Sequence, residues 1–421
     1  MDRKFWQNLV SLFGINGLNY IVPLVTLPFL ARVLGPVHWG ELALAEAYAS
    51  YTSLFIEYGF GLSATREVAQ IRHDKFALSR LMAAVTGAQA LLILGTFALT
   101  VGLGYGSSLF VEYRPLLPIA FSLGALRAIN PFWYFLGLER MRLVATITIL
   151  TNVAAAVSML SFVRSPKDFG LPLLLRAGAA LISAAAGFAI AYREISFSRP
   201  TIAQAWLSLR QGWSLFVFKS AVSMYTTANV LLLGALAAPA VVAWFAGAEK
   251  IAKAATGALT PLTQAFYPRI AYLMAKDRGD ATRTARISVV MTVGSGLVLG
   301  LALFLAAPSL VHVLLGVGFS EAVPVLRVLS VLPPLLAASN ILGIQWMLPL
   351  RLDRQFNWII AGAGFINIAL AFGLVPRAGQ MGMAISVVIA EAIATGAMIV
   401  VLRCRRLDPW SAQPREDAIA A

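Results

Sequence analysis

The chain has 421 residues, 59% of them hydrophobic and only 12% charged, with a mean hydropathy of +0.79. Soluble domains carry roughly a quarter charged residues, so that class is excluded, and with it the nucleic-acid partner that a net charge of +14 would suggest. One cysteine (Cys404) and three histidines (His38, His73 and His312) exclude a disulfide framework and a histidine-rich metal site. A helix needs about 20 mostly apolar residues to cross ~30 Å of hydrocarbon. Runs of that kind are predicted, in chain order, at 9–34, 39–63, 81–105, 115–137, 143–163, 169–191, 212–236, 240–265, 286–310, 322–348, 355–375 and 380–402. The expected fold is therefore an all-α integral membrane protein of about twelve transmembrane helices. The first apolar stretch is too long for a signal peptide and lacks a cleavage pattern, so it reads as the first span. Connections are short, which leaves no room for a soluble domain, and the polar tail after Arg406 is expected to be disordered.

Lys and Arg concentrate on the cytoplasmic side of membrane proteins. With the N-terminus inside, 22 of the 33 basic residues fall in cytoplasmic segments, and only Arg32, Arg114, Arg164, Lys167 and Arg377 fall outside. Both termini are thus expected in the cytoplasm. The remaining six bases lie within predicted spans: Arg127, Arg176, Lys219, Lys250, Lys253 and Arg327.

The two halves of the chain match each other at an offset of 203. Ser11-Leu12-Phe13 meets Ser214-Leu215-Phe216, Pro36 meets Pro239, Ala45-Glu46 meets Ala248-Glu249, Arg66 meets Arg269 and Arg80 meets Arg283. Later the offset drifts, with Asn130 opposite Asn340 and Asn152 opposite Asn367. Two six-helix lobes are expected, 1–205 and 206–406, followed by a cytoplasmic tail at 407–421. Six spans per repeat keep both lobes in one orientation, related by a pseudo-two-fold axis along the membrane normal. Carriers built this way bind substrate between their repeats.

A Lys or Arg at a helix centre costs roughly 2.5–3.5 kcal/mol on insertion scales, so six facing lipid would cost roughly 15–20 kcal/mol. They are expected to face a hydrated cavity or a partner. Lys250 and Lys253 share a helix face, and Glu249 stands four residues before Lys253, the favourable order for a pair. Arg127 is central in its span. Arg327 and Arg176 lie nearer span ends, where a long side chain can snorkel. The acids within spans are fewer: Glu46, Glu57, Glu249 and Glu391. Glu46 and Glu249 are repeat equivalents, suited to structural pairing or to proton coupling, and Glu391 is a further candidate for coupling. The surplus of positive charge points to an anionic passenger, whereas a cation carrier would present acids and an aromatic cage. The candidate binding set is Arg127, Lys250, Lys253, Lys219 and Arg176, with Arg32 from the end of the first span. Trp39, Tyr48, Trp133, Tyr134, Trp244, Trp346 and Trp358 sit at span ends, where they serve either as interfacial anchors or as platforms for sugars.

The sequence also resembles the bacterial polysaccharide flippases of O-antigen type, within the MOP (multidrug/oligosaccharidyl-lipid/polysaccharide) exporter superfamily. The resemblance is carried by Gln7-Asn8, by Pro28, Leu30, Arg32, Leu34, Gly35, Gly40, Glu57 and Gly59, and by the stretch NPFWYFLGLERM. In that stretch Leu136 stands where the family commonly has Gln. Asn367, Pro376, Gly379, Gly382 and Glu391 continue the match to the end. The resemblance implies two six-helix bundles around a cationic central cavity, and alternating access that moves an undecaprenyl-diphosphate-linked oligosaccharide from the cytoplasmic to the periplasmic leaflet. It implies a multi-pass protein of the bacterial inner membrane, a transporter and not an enzyme. A polysaccharide polymerase and chain-length machinery are its implied protein partners. No cofactor and no nucleic acid are expected, and no Gly-x-x-x-x-Gly-Lys-Ser/Thr motif for ATP occurs. The alternatives are a multidrug or cation exporter or a lipid II flippase of the same superfamily, and a membrane polysaccharide polymerase.

Overall fold

A computed structural model describes residues 3–106 and 114–410 of the chain. Helix is the regular structure, and no strand occurs among the described residues. In chain order the helices are α1 (Arg3–Glu57), α2 (Phe60–Ile71), α3 (Lys75–Gly106), α4 (Leu117–Ala128), α5 (Phe132–Gly137), α6 (Met141–Phe162), α7 (Leu171–Glu194) and α8 (Ile202–Thr226). They continue as α9 (Ala228–Leu236), α10 (Pro239–Gly257), α11 (Thr260–Lys276), α12 (Arg278–Leu314), α13 (Ala322–Leu329), α14 (Leu332–Asn340) and α15 (Asp353–Cys404). A π-helical segment, Ile341–Met347, follows α14 directly. By packing the chain forms two compact units: Val33–Ser223, and Met1–Arg32 together with Met224–Ala421. We refer to them as the first and second units.

Helix breaks fall both between expected spans and within them, and the local chemistry says why. In α1 the break falls at Gly35, with φ 69° and ψ 174°. That left-handed φ is open to glycine at little cost, and Pro36 after it has no N–H to continue the helical ladder. The span expected at 115–137 divides into α4 and α5 around Asn130-Pro131, and the one at 212–236 divides into α8 and α9 at Thr227. The 52-residue α15 breaks at Gly379, which separates the last two expected spans. Among the described residues, five helical stretches are individually long and apolar enough to cross a membrane: Lys75–Gly102, Pro166–Glu194, Arg278–Leu314, Ala322–Met347 and Asp353–Cys404.

Helix starts repeat along the chain. Asp74 accepts from the backbone N–H groups of Phe76 and Ala77, both at 2.9 Å, and starts α3. Asp277, 203 positions later, accepts from Gly279 and Asp280 at 2.8 and 3.1 Å and starts α12. Each aspartate satisfies donors that the first helical turn leaves without partners. Proline in the first turn recurs at Pro118, Pro172, Pro239, Pro261 and Pro333, a position where its missing N–H is harmless.

The first unit has a core of Phe60, Val68, Met82, Trp133, Tyr134 and Phe135. The second packs Phe266, Ile270, Trp346, Met347, Leu402 and Leu407 together. Gln345, fully buried in the π-helical segment, accepts from the Ser288 hydroxyl at 2.8 Å and donates to the Thr263 carbonyl at 3.3 Å, so the segment is tied to α12 and α11. Of the aromatic residues considered as sugar platforms, Trp39, Trp133, Tyr134 and Trp346 are at most 3% exposed and belong to the cores.

The tail expected to be disordered from 407 is ordered at its start. Leu407 is buried in the second unit's core, the Trp346 indole donates to its carbonyl at 2.7 Å, and Arg286 donates to the Pro409 carbonyl at 2.7 Å. The rest of that tail, 411–421, lies outside the described residues. Trp346→Phe removes the donor together with one of the two fused rings, at a cost of about 1 kcal/mol for the lost hydrogen bond and a further cost for the space left in the core. Faster tryptic cleavage after the exposed Arg405 and Arg406 is the expected result. Cleavage at the wild-type rate would show that this bond does not hold the segment.

Candidate functional site

In the first unit, close helix packing brings three charged residues together. On α4, Gly124 lies so near α1 that a β-carbon there would strike the Ala49 carbonyl oxygen and approach Thr52 Cβ to 2.7 Å. In a bilayer, apolar contact gives helices little preference for each other over lipid, so small residues that admit a neighbouring backbone decide which helices meet. The end of α4 is fixed further. Buried Gln89 on α3 donates to the Ala128 carbonyl at 2.8 Å, and Asn130 donates to the Ser183 hydroxyl on α7 at 2.9 Å. Arg127 is thereby held in the last turn of α4, where the helix dipole favours a cation. Glu46, one turn before Ala49 on α1, is ion-paired with Arg176 on α7. Arg127 lies close enough to both for their charges to act on it. Elsewhere in this unit Lys219 donates to Glu57 at 2.6 Å.

In the second unit the i,i+4 pair is formed, with Lys253 Nζ 3.0 Å from Glu249 Oε1. Glu249 is only 7% exposed and also accepts from Asn229 at 3.4 Å, while Asn229 accepts from Asn367 at 2.8 Å. This chain ties α10 to α9 and α15. Lys250 is half-buried one residue before Ile251 on the same helix. Lys253 stands at the edge of a cavity of about 590 Å³ lined by Thr256, Thr260, Thr263, Gln264, Tyr267 and Asn340, among others. Hydroxyls, amides and one ring beside an ammonium group suit a ligand with both hydroxyls and negative charge.

Other candidates have local partners. Arg32 donates to the Val313 carbonyl in the last turn of α12, and its side chain packs on Gly316. The Arg327 guanidinium lies 5.5 Å from the centre of the Phe304 ring, a cation–π contact. Glu391 is 2% exposed and accepts from the Ser339 hydroxyl at 2.6 Å. Among the described residues, no group of three or more His, Cys, Asp or Glu side chains could hold a metal ion.

The cavity-lining residues on α10 and α11 escaped the sequence reading, which attended to charge. A signal for them exists: Thr256, Thr260, Thr263 and Tyr267 recur every three or four positions, a polar stripe on otherwise apolar helices.

Residues 5–274 match the family described as polysaccharide biosynthesis protein, and the chain belongs to that family. It is 31% identical over 406 residues to a protein of Escherichia coli (strain K12) named "Putative O-antigen transporter", with 95% of this chain and 97% of that one covered. A Shigella dysenteriae protein of the same name is 28% identical over 397 residues, with 92% and 97% covered. Among solved structures, the lipid II flippase MurJ in an inward closed conformation has a TM-score of 0.71 at 12% identity, covering 93% of this chain and 87% of that one. An inward-facing multidrug resistance MATE family transporter of the MOP superfamily has a TM-score of 0.65 at 17% identity, covering 96% of each. The chain thus has the MOP transporter fold and is a multi-pass membrane protein.

Proposed function

We propose that the chain moves an undecaprenyl-diphosphate-linked oligosaccharide across the bacterial inner membrane, from the cytoplasmic to the periplasmic leaflet, for assembly of an O-antigen type polysaccharide. Membership of the polysaccharide biosynthesis family, and the name borne by the E. coli and Shigella relatives, support the substrate class. The observation that carries the reading is the cavity in the second unit, where Lys253 meets threonine hydroxyls, amides and Tyr267. An ammonium group serves the diphosphate, and the polar stripe serves the sugars. The prenyl tail stays in lipid while the two halves alternate in exposing the cationic sites. Both termini lie in the cytoplasm. An anion leaving a negative interior gains about 2.3 kcal/mol per charge per 100 mV, which favours export without a nucleotide.

The test is complementation of a strain that lacks its O-antigen flippase, with lipid-linked oligosaccharide assayed on each face of the inner membrane. Restored surface polysaccharide is expected. Accumulation of the intermediate on the inner face, at normal protein level, would overturn the reading. In the same assay Lys253→Gln is expected to lower export about fivefold, since an exposed charge contact is worth about 1 kcal/mol. Wild-type export by that variant would remove Lys253 from the site.

A further inference from the structure

The first unit already contains an anion at its cationic site. The Glu46 carboxylate accepts from Arg176, and Arg127 stands within electrostatic reach of both. A carboxylate uses the same N–H donors of a guanidinium that a phosphate uses. Both members of the pair remain accessible, with side-chain exposures of 23% for Arg176 and 15% for Glu46. We propose that Glu46 is the exchangeable internal counter-ion of this site: an incoming diphosphate displaces it from Arg176, and its return releases the diphosphate after transport. The inference rests on the diphosphate reading above and concerns how that ligand is let go.

Charge matching supports the exchange. Two guanidiniums and one carboxylate leave the cluster with a single positive charge, whereas the diphosphate of a lipid-linked sugar carries two negative ones. With Glu46 in place, the ligand meets one uncompensated cation and a like charge at hydrogen-bonding distance from the other. With Glu46 swung aside, two cations face two anionic groups. Arg127 is then the group of first encounter, and Arg176 becomes available only on displacement. A carrier gains from this arrangement, because two permanently open arginines would hold the ligand as firmly after translocation as before it. Glu249 on α10 is bound into the Asn229–Asn367 chain, and the proposal concerns Glu46 alone.

The experiment measures binding of inorganic pyrophosphate to the full-length protein in lipid nanodiscs. Glu46→Gln keeps the shape of the side chain and removes its charge, and is expected to bind pyrophosphate about tenfold more tightly than wild type. Adding Arg127→Gln to that variant is expected to abolish the gain. In cells, Glu46→Gln is expected to export more slowly despite tighter binding. Should Glu46→Gln fail to fold, Glu46→Asp, which keeps the charge but draws it back by one methylene, is expected to tighten binding by a smaller factor. Unchanged or weaker binding in the folded variant overturns the exchange. If Arg127→Gln alone abolishes pyrophosphate binding while the Glu46 variants match wild type, the exchange fails and the transport reading stands. If no protein binds pyrophosphate and Arg127→Gln still exports, both fail.

Discussion

Arg127→Gln is expected to lower surface polysaccharide by about 10- to 150-fold at unchanged protein level. A hydrogen bond to a charged group is worth about 1.5–3 kcal/mol, and each 1.4 kcal/mol is about a factor of ten. The position is rigid: α4 is pressed on α1 through Gly124, its last carbonyl is held by Gln89, and Asn130 fastens the next turn to α7. A diphosphate therefore finds a guanidinium already oriented. Arg127→Lys should recover part of the loss, because it keeps the charge and forfeits the two-pronged geometry. The loss of charge at the end of α4 weakens the helix by only about 0.3–1 kcal/mol, so the protein should still accumulate. The check is surface polysaccharide normalised to membrane-inserted protein, and export within twofold of wild type would exclude Arg127 from the site.

Gly124→Ala is the second large effect, and here stability and function should fall together. The added β-carbon meets the Ala49 backbone oxygen and the β-branched Thr52. Neither can rotate out of the way, so α4 must retreat from α1. Overpacking of this kind costs about 1–3 kcal/mol. The retreat also carries Arg127, on the same helix as Gly124, away from Glu46 on α1. Gly95→Ala is the control: nothing lies within 4 Å of a β-carbon placed there on α3, and alanine is the better helix former by about 1 kcal/mol. Melting curves of the two purified variants decide the matter. If Gly124→Ala melts no lower than Gly95→Ala, α4 and α1 do not need their close approach.

Features with a short sequence range were legible before the structure. Glu249 and Lys253 are four apart on one helix and do pair, and the breaks near Pro36 and Pro239 sit at punctuation that any reader of the chain can see. The family motifs were legible too, because they are local strings. Arg176 and Glu46 are separated by 130 positions, and Lys219 and Glu57 by 162. Which acid meets which base depends on helix packing, and in a chain this apolar the packing is written in small residues such as Gly124, which look the same in every span. Hence three of the six intramembrane bases counted in the sequence, Arg176, Lys219 and Lys253, stand in acid–base pairs in three dimensions. The interrupted spans were missed for a related reason: hydropathy averages across Asn130-Pro131 and Thr227 without registering a change of direction. The docking of Leu407 and Pro409 could not be foreseen from a polar tail, because their anchors are one indole and one arginine far away in the chain.

Cys404, exposed in the last turn of α15 and the sole cysteine of the chain, has a practical consequence. A maleimide fluorophore or nitroxide added to the unmodified protein attaches at one place. The label then sits three residues before Leu407, the first docked residue of the tail, and beside the core that Trp346 closes. Substrate-driven movement at that end of the second unit can be followed spectroscopically in the natural sequence, with no cysteine-free background to engineer first.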